Sequence, residues 1–113
     1  MITVNALKEY GANVEEGLSR CMGNEALYLK LAAIIPGDKN FQTLEESLAA
    51  GNLDSAFESA LALKGATGNL SLTPLYDPLV KITELLRARE DMDYTELMND
   101  ILSERSKLEE RCR

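Results

Sequence analysis

Between Asn52 and Leu70 the residues Leu53, Ala56, Ala60, Leu63, Thr67 and Leu70 recur in steps of three and four. A helix of 3.6 residues per turn lines such positions along one stripe, whereas a strand would scatter them over both faces. The stripe is of the heptad type that buries against other helices, and Asn52 before it is a good N-cap. The same period returns in Leu75, Leu79, Ile82 and Leu86, with Leu85 beside them. That run follows Thr73-Pro74, which reads as a cap and a first-turn proline. Tyr94, Leu97, Ile101, Leu102 and Leu108 build a last helix, opened by the box-like pair Asp93 and Glu96. No run alternates apolar and polar residues as a half-buried strand would.

Shorter pieces precede these. Leu7 starts a short helix that Gly11 stops, and Asn13 with Glu16 resembles a capping box ahead of Val14 and Leu18. Gly23 ends that piece, and Asn24 caps a segment carrying Ala26, Leu27, Leu31, Ile34 and Ile35. Pro36-Gly37-Asp38 breaks the chain, and Phe41, Leu44 and Leu48 mark one more short helix, ended by Gly51. With 113 residues there is room for one domain, residues 1–113. The expected architecture is all-α: an antiparallel four-helix bundle of three long helices plus the 24–35 segment, with short additional N-terminal helices closing one end.

Composition narrows the function classes. Apolar residues at 45% and charged residues at 27% are those of a soluble globular chain. A formal net charge of −7 without clustered cations argues against nucleic acid and against a polybasic membrane patch. There is no histidine, which removes the commonest general acid–base, the Ser/His and Cys/His pairs, and histidine-containing metal sites. Cys21 and Cys112 alone make no metal site and read as reduced thiols. No stretch approaches the roughly 20 apolar residues of a membrane span, and the N-terminus lacks the build of a signal peptide. The expectation is a cytoplasmic protein that is not an enzyme and needs no cofactor or metal.

Other signals carry less. The paired acids Glu15-Glu16, Glu45-Glu46 and Glu109-Glu110 sit on helices without the framing of a catalytic acid pair. Gly65-Ala66-Thr67-Gly68 lies mid-helix with no strand before it, so it is no phosphate-cradling loop. Asp91, Asp93 and Glu96 suit helix capping better than a calcium loop, which needs ligands at more positions.

The helix from Leu53 onward holds one anomaly. Gly65 and Gly68 each cost about 1 kcal/mol against alanine inside a helix. Asp54, Glu58, Leu61, Gly65 and Gly68 follow one line on the helical wheel, about 100° from the centre of the buried stripe. Glycine there lets something approach the backbone closely, either a neighbouring helix or a partner protein.

Leu61-Ala62-Leu63-Lys64-Gly65 followed by Gly68-Asn69-Leu70 resembles the signature of histidine-containing phosphotransfer (HPt) domains. In that family the motif runs His, any residue, Leu, Lys, Gly on the second long helix of a four-helix bundle. The resemblance extends to Met22-Gly23-Asn24-Glu25-Ala26-Leu27-Tyr28-Leu29, to Leu48-Ala49-Ala50-Gly51-Asn52 and to Leu72-Thr73-Pro74-Leu75, and so covers roughly residues 4 to 110. It implies a phosphorelay protein of two-component signalling, whose partner is a response-regulator receiver domain or a sensor kinase. By the same resemblance Lys64 would neutralise phosphate charge, and Gly65 would leave space for the receiver, with Gly68 extending that open surface.

The departure falls where the family carries its phosphorylated histidine, because this chain has Leu61. Leucine has no lone pair and cannot attack an aspartyl phosphate. One base change converts a histidine codon to a leucine codon, so natural loss is easy. The expectation is a pseudo-phosphotransfer protein that binds a receiver without carrying phosphate, with Leu61 as the apolar centre of the docking patch and Asp54 and Glu58 selecting the partner by charge. The plainer alternatives are a Leu61 that packs beneath a neighbour, a Lys64 that snorkels into water, and a solvated Asp54 and Glu58. The rival class of function is a structural, self-associating helical module that no longer binds receivers.

Overall fold

The computed structural model describes residues 1–113, and every regular element in it is helical. Helices α1 (Val4–Tyr10), α2 (Val14–Arg20) and α3 (Glu25–Ile34) lead into a 3₁₀ turn, Ile35–Gly37. Then follow α4 (Lys39–Ala49), α5 (Leu53–Asn69), α6 (Thr73–Arg87) and α7 (Thr95–Arg111). No helix is long and apolar enough to cross a membrane.

The helix starts follow from short polar side chains. Asn13, Asn24 and Asn52 each accept the amide three residues on, at 3.2, 3.0 and 3.1 Å. Such caps satisfy an otherwise orphaned donor and contribute about 1 kcal/mol each. Gly11 ends α1 in the left-handed region at φ +108°, a conformation glycine adopts without strain. Two starts differ from expectation. The N-cap of α6 is Leu72 rather than Thr73, because the chain already turns at Ser71 (φ +52°), and the Thr73 hydroxyl donates back to the Ser71 carbonyl at 3.4 Å. Asp93 accepts the Thr95 amide at 2.9 Å, so α7 starts at Thr95 with Tyr94 as its N-cap residue.

Packing is dominated by consecutive helix hairpins. The turn through Gly51 lays α4 along α5, and the Leu70–Leu72 turn lays α6 along α5; α7 then packs on α6. The stripe read from the sequence is inside: Ala56, Ala60, Leu63 and Thr67 on α5 are fully buried, as are Leu75, Leu79, Ile82 and Leu86 on α6. Alanines at Ala56 and Ala60 let neighbouring helices come close, and the Thr67 hydroxyl is satisfied by the Leu63 carbonyl at 2.8 Å. One placement is corrected. The helix that lies along α5 beside α6 is α4, not the 24–35 segment; Phe41 and Leu44 bury their side chains from α4. The tight turn at Gly51 enforces that neighbour, and α3 instead reaches the C-terminal end of α5, where the Tyr28 hydroxyl donates to the Leu70 carbonyl at 2.9 Å.

Long-range ties fix the remaining pieces. Arg105 on α7 stacks over Phe41 at 5.1 Å and donates to the Pro36 carbonyl at 2.7 Å, joining α7 to the 3₁₀ turn. The Asn13 amide donates to the Ser71 carbonyl at 3.0 Å, and Gly17 leaves room for the Tyr28 ring. Those contacts hold α2 beside the α5–α6 turn. Burial first, and the nearby Cys21 second, pushes the Tyr28 phenol up to about 12.

Candidate docking face on α5

The line of candidates on α5 divides in three dimensions. Leu61 is 41% exposed, and its neighbour Ala62 is exposed as well. At Gly65 an added Cβ would meet nothing within 4 Å. The backbone of α5 is therefore bare there, and no helix of this chain covers it. Gly68 is different. A Cβ there would stand 2.8 Å from Cε1 of Tyr76 on α6, so the missing side chain accommodates the neighbouring ring. Contact with α6 accounts for Gly68, and the open surface narrows to Leu61, Ala62 and Gly65.

Charges on the same face are bound to α6. Lys64 keeps 25% of its side chain exposed, and its ammonium stands 4.0 Å from Glu84, the outer limit of an ion pair. Glu84 also meets Arg87 at 3.3 Å. Asp54, although mostly in solvent, accepts from Arg89 Nε at 2.7 Å. Arg87 at the end of α6 and Arg89 in the turn just beyond it each place a guanidinium 5.0 Å from the centre of the Phe57 ring. Pairs this exposed contribute at most about 1 kcal/mol each, and together they hold the two helices in register. Glu58 is exposed and makes no ion pair.

Beside Leu61 and Gly65 opens a surface cleft of about 520 Å³, walled by α2, α5 and the start of α6. Arg20 and Lys64 both line it, with Tyr76 and Asp77 on the α6 side. The sequence reading missed Arg20, Phe57, Tyr76, Glu84 and Arg89. Their roles come from packing between elements far apart in the chain, and no local spacing announces it.

The face holds no nucleophile with a base beside it, and no cluster of His, Cys, Asp and Glu suited to a metal ion occurs in the chain. Displaced titrations fall elsewhere. Burial followed by Glu104 raises Tyr10, and burial followed by Glu109 raises the Cys112 thiol. Hydrogen bonds from Thr95 lower Asp93. What the geometry offers is a contact surface: a half-exposed leucine at Leu61, bare backbone at Gly65 and the Lys64 cation beside them. Comparison with protein-family models, with curated proteins and with solved structures finds no match for this chain.

Proposed function

We propose that the chain is a four-helix bundle of the HPt type without a phosphoacceptor, and that it docks on a response-regulator receiver domain through α5. On this reading α4, α5, α6 and α7 are the bundle helices, α3 continues α4 beyond the Pro36 turn, and α1 and α2 are the additional N-terminal helices. Occupying the receiver would exclude phosphoryl donors and so modulate a phosphorelay. The observation that carries the reading is Gly65: a helix-interior glycine with open space where its side chain would be, beside a half-exposed Leu61. Intramolecular packing gives no reason for that residue, whereas a protein that must approach the α5 backbone does. A fully desolvated leucine at the centre of such a contact contributes about 1.5–3 kcal/mol.

The test is titration against a panel of receiver domains. Leu61→Asp and Gly65→Arg are expected to abolish binding while the fold is kept, since both side chains point outward. Binding that survives both changes overturns the reading. Leu61→His tests the surface by chemistry: an imidazole there is expected to take the phosphoryl group from a receiver aspartyl phosphate, a P–N bond forming as the aspartate P–O bond breaks. One observation favours the rival, self-associating module. Leu31, Ile34 and Ala66 line an apolar groove between α3 and α5, and Ile34 is 62% exposed. Sedimentation as a stable dimer, lost on Ile34→Glu, would favour it.

A further inference from the structure

The cleft next to Leu61 carries donors with spare capacity beside two acids, Glu16 and Asp77. Arg20 meets Glu16 through Nε at 3.3 Å and one terminal nitrogen at 3.1 Å, both to the same carboxylate oxygen, which leaves its other terminal nitrogen unused. The Lys64 ammonium makes no hydrogen bond within the chain; its one charge partner, Glu84, is 4.0 Å away and is shared with Arg87. At the start of α6 the Thr73 amide has no acceptor, and no side chain caps the helix. Ser71, on the cleft wall and 7% exposed, buries a hydroxyl without a partner. Helix N-termini favour negative charge, and a guanidinium with a free edge favours a planar oxyanion.

We infer that this cleft is an oxyanion site, and that in the docked complex it receives a carboxylate side chain of the partner, with Arg20 as a second cation beside Lys64. The inference rests on the docking reading for its occupant, but not for the chemistry of the cleft. Two acids of the chain share the cleft. Glu16 is engaged by Arg20 and by Asn13, whose amide nitrogen reaches it at 3.2 Å, and Asp77 lies on the far side on α6. The Glu16–Arg20 pair is half exposed on both sides, so turning the free guanidinium edge to a second carboxylate costs little. Because Leu61, Lys64 and Gly65 line the same cleft, anything that covers them overlies its mouth. The resident acids weaken a free anion's hold on Arg20 and Lys64 without abolishing it, and a carboxylate on a fixed partner backbone can in addition be aimed away from Glu16 and Asp77.

Two arms test this. In the first, amide and arginine side-chain NMR of the full chain follows titration with inorganic phosphate and, separately, acetate, against sodium chloride at matched ionic strength. Saturable shifts at Ser71, Thr73, Lys64 and Arg20, abolished in Arg20→Gln, are expected. Shifts equal to those with chloride, or unchanged in Arg20→Gln, overturn the oxyanion site. In the second arm, receiver domains that bind the wild type are titrated with Arg20→Gln and Glu16→Gln. Arg20→Gln is expected to weaken binding roughly fivefold, and Glu16→Gln, which frees the guanidinium, to strengthen it. Equal binding by all three proteins overturns the partner carboxylate. Phosphate shifts without binding to any receiver would sink the docking reading and leave the site standing.

Discussion

Gly65 and Gly68 sit one turn apart on α5 with opposite surroundings, so alanine at each separates two reasons for a helical glycine. Alanine in a helix interior is favoured over glycine by about 1 kcal/mol. At Gly65 the new methyl enters open space, so nothing offsets that gain. At Gly68 the methyl would lie 2.8 Å from Tyr76 Cε1 and 3.2 Å from Cδ1. Displacing that ring costs about 1–3 kcal/mol, as overpacking does elsewhere, which cancels or reverses the gain. The expected order of stability is Gly65→Ala above wild type, and wild type at or above Gly68→Ala. For a chain of this size about 1 kcal/mol moves the melting temperature by roughly 4 °C. Thermal and urea unfolding followed by far-UV circular dichroism read this directly. A Gly65→Ala protein no more stable than wild type would refute the reasoning, because it would mean that the backbone there is not bare. If receivers bind, the same stabilised variant is expected to bind them more weakly, the signature of a residue kept for a visitor at the expense of its own helix.

Three further outcomes follow from named contacts. Gly17→Ala puts a methyl 2.5 Å from Tyr28 Cε1, and the ring cannot retreat without losing its bond to the Leu70 carbonyl, so a loss of about 2–3 kcal/mol in urea unfolding is expected; a neutral result would show that α2 docks loosely. Tyr28→Phe removes that buried hydrogen bond and is expected to cost about 1–2 kcal/mol at neutral pH. Because the Tyr28 phenol is raised from 10.0 to about 12, its protonated form stabilises the fold fully below pH 10, and that contribution fades as pH rises toward 12. The variant therefore loses stability less steeply across that window, and an unchanged slope in urea melts at alkaline pH would contradict the assignment. Arg89→Ala removes the partner of Asp54, one face of the Phe57 grip and the donor to the Leu86 carbonyl. About 1–2 kcal/mol is expected, with faster amide exchange confined to the C-terminal end of α6; exchange unaffected there would make those contacts incidental.

Local signals in the chain gave the elements reliably, and long-range ones did not. Asn13, Asn24 and Asn52 cap where their spacing to the following helices says they should, because a cap needs only its own next turn. The buried stripe of α5 was legible for the same reason, since 3.6-residue periodicity is a property of one segment. The choice of neighbour was not. Whether α3 or α4 lies along α5 depends on the turn at Gly51 and on the fit of Phe41 and Leu44, and both candidate segments carry apolar residues at helical spacing. The two glycines show the same division. A helical wheel places Gly65 and Gly68 on one line, but only the position of Tyr76, eight residues further on across a turn, distinguishes them.

That division changes which charge has a part in recognition. Asp54 and Glu58 stand one turn apart and look equivalent in sequence, yet Asp54 is spent within the molecule on Arg89, which in turn grips Phe57 and reaches the end of α6. Neutralising Asp54 therefore disturbs the α5–α6 register as well as any contact with a partner, and a binding defect in that variant has two causes. Glu58 has no such attachment. It stands exposed one turn before Leu61 with no ion pair to lose, so its charge acts on whatever approaches and on little else. On the docking reading, charge selection by the acidic end of α5 belongs to Glu58, and Asp54 serves as the brace that keeps Phe57 and Arg89 in place beneath it.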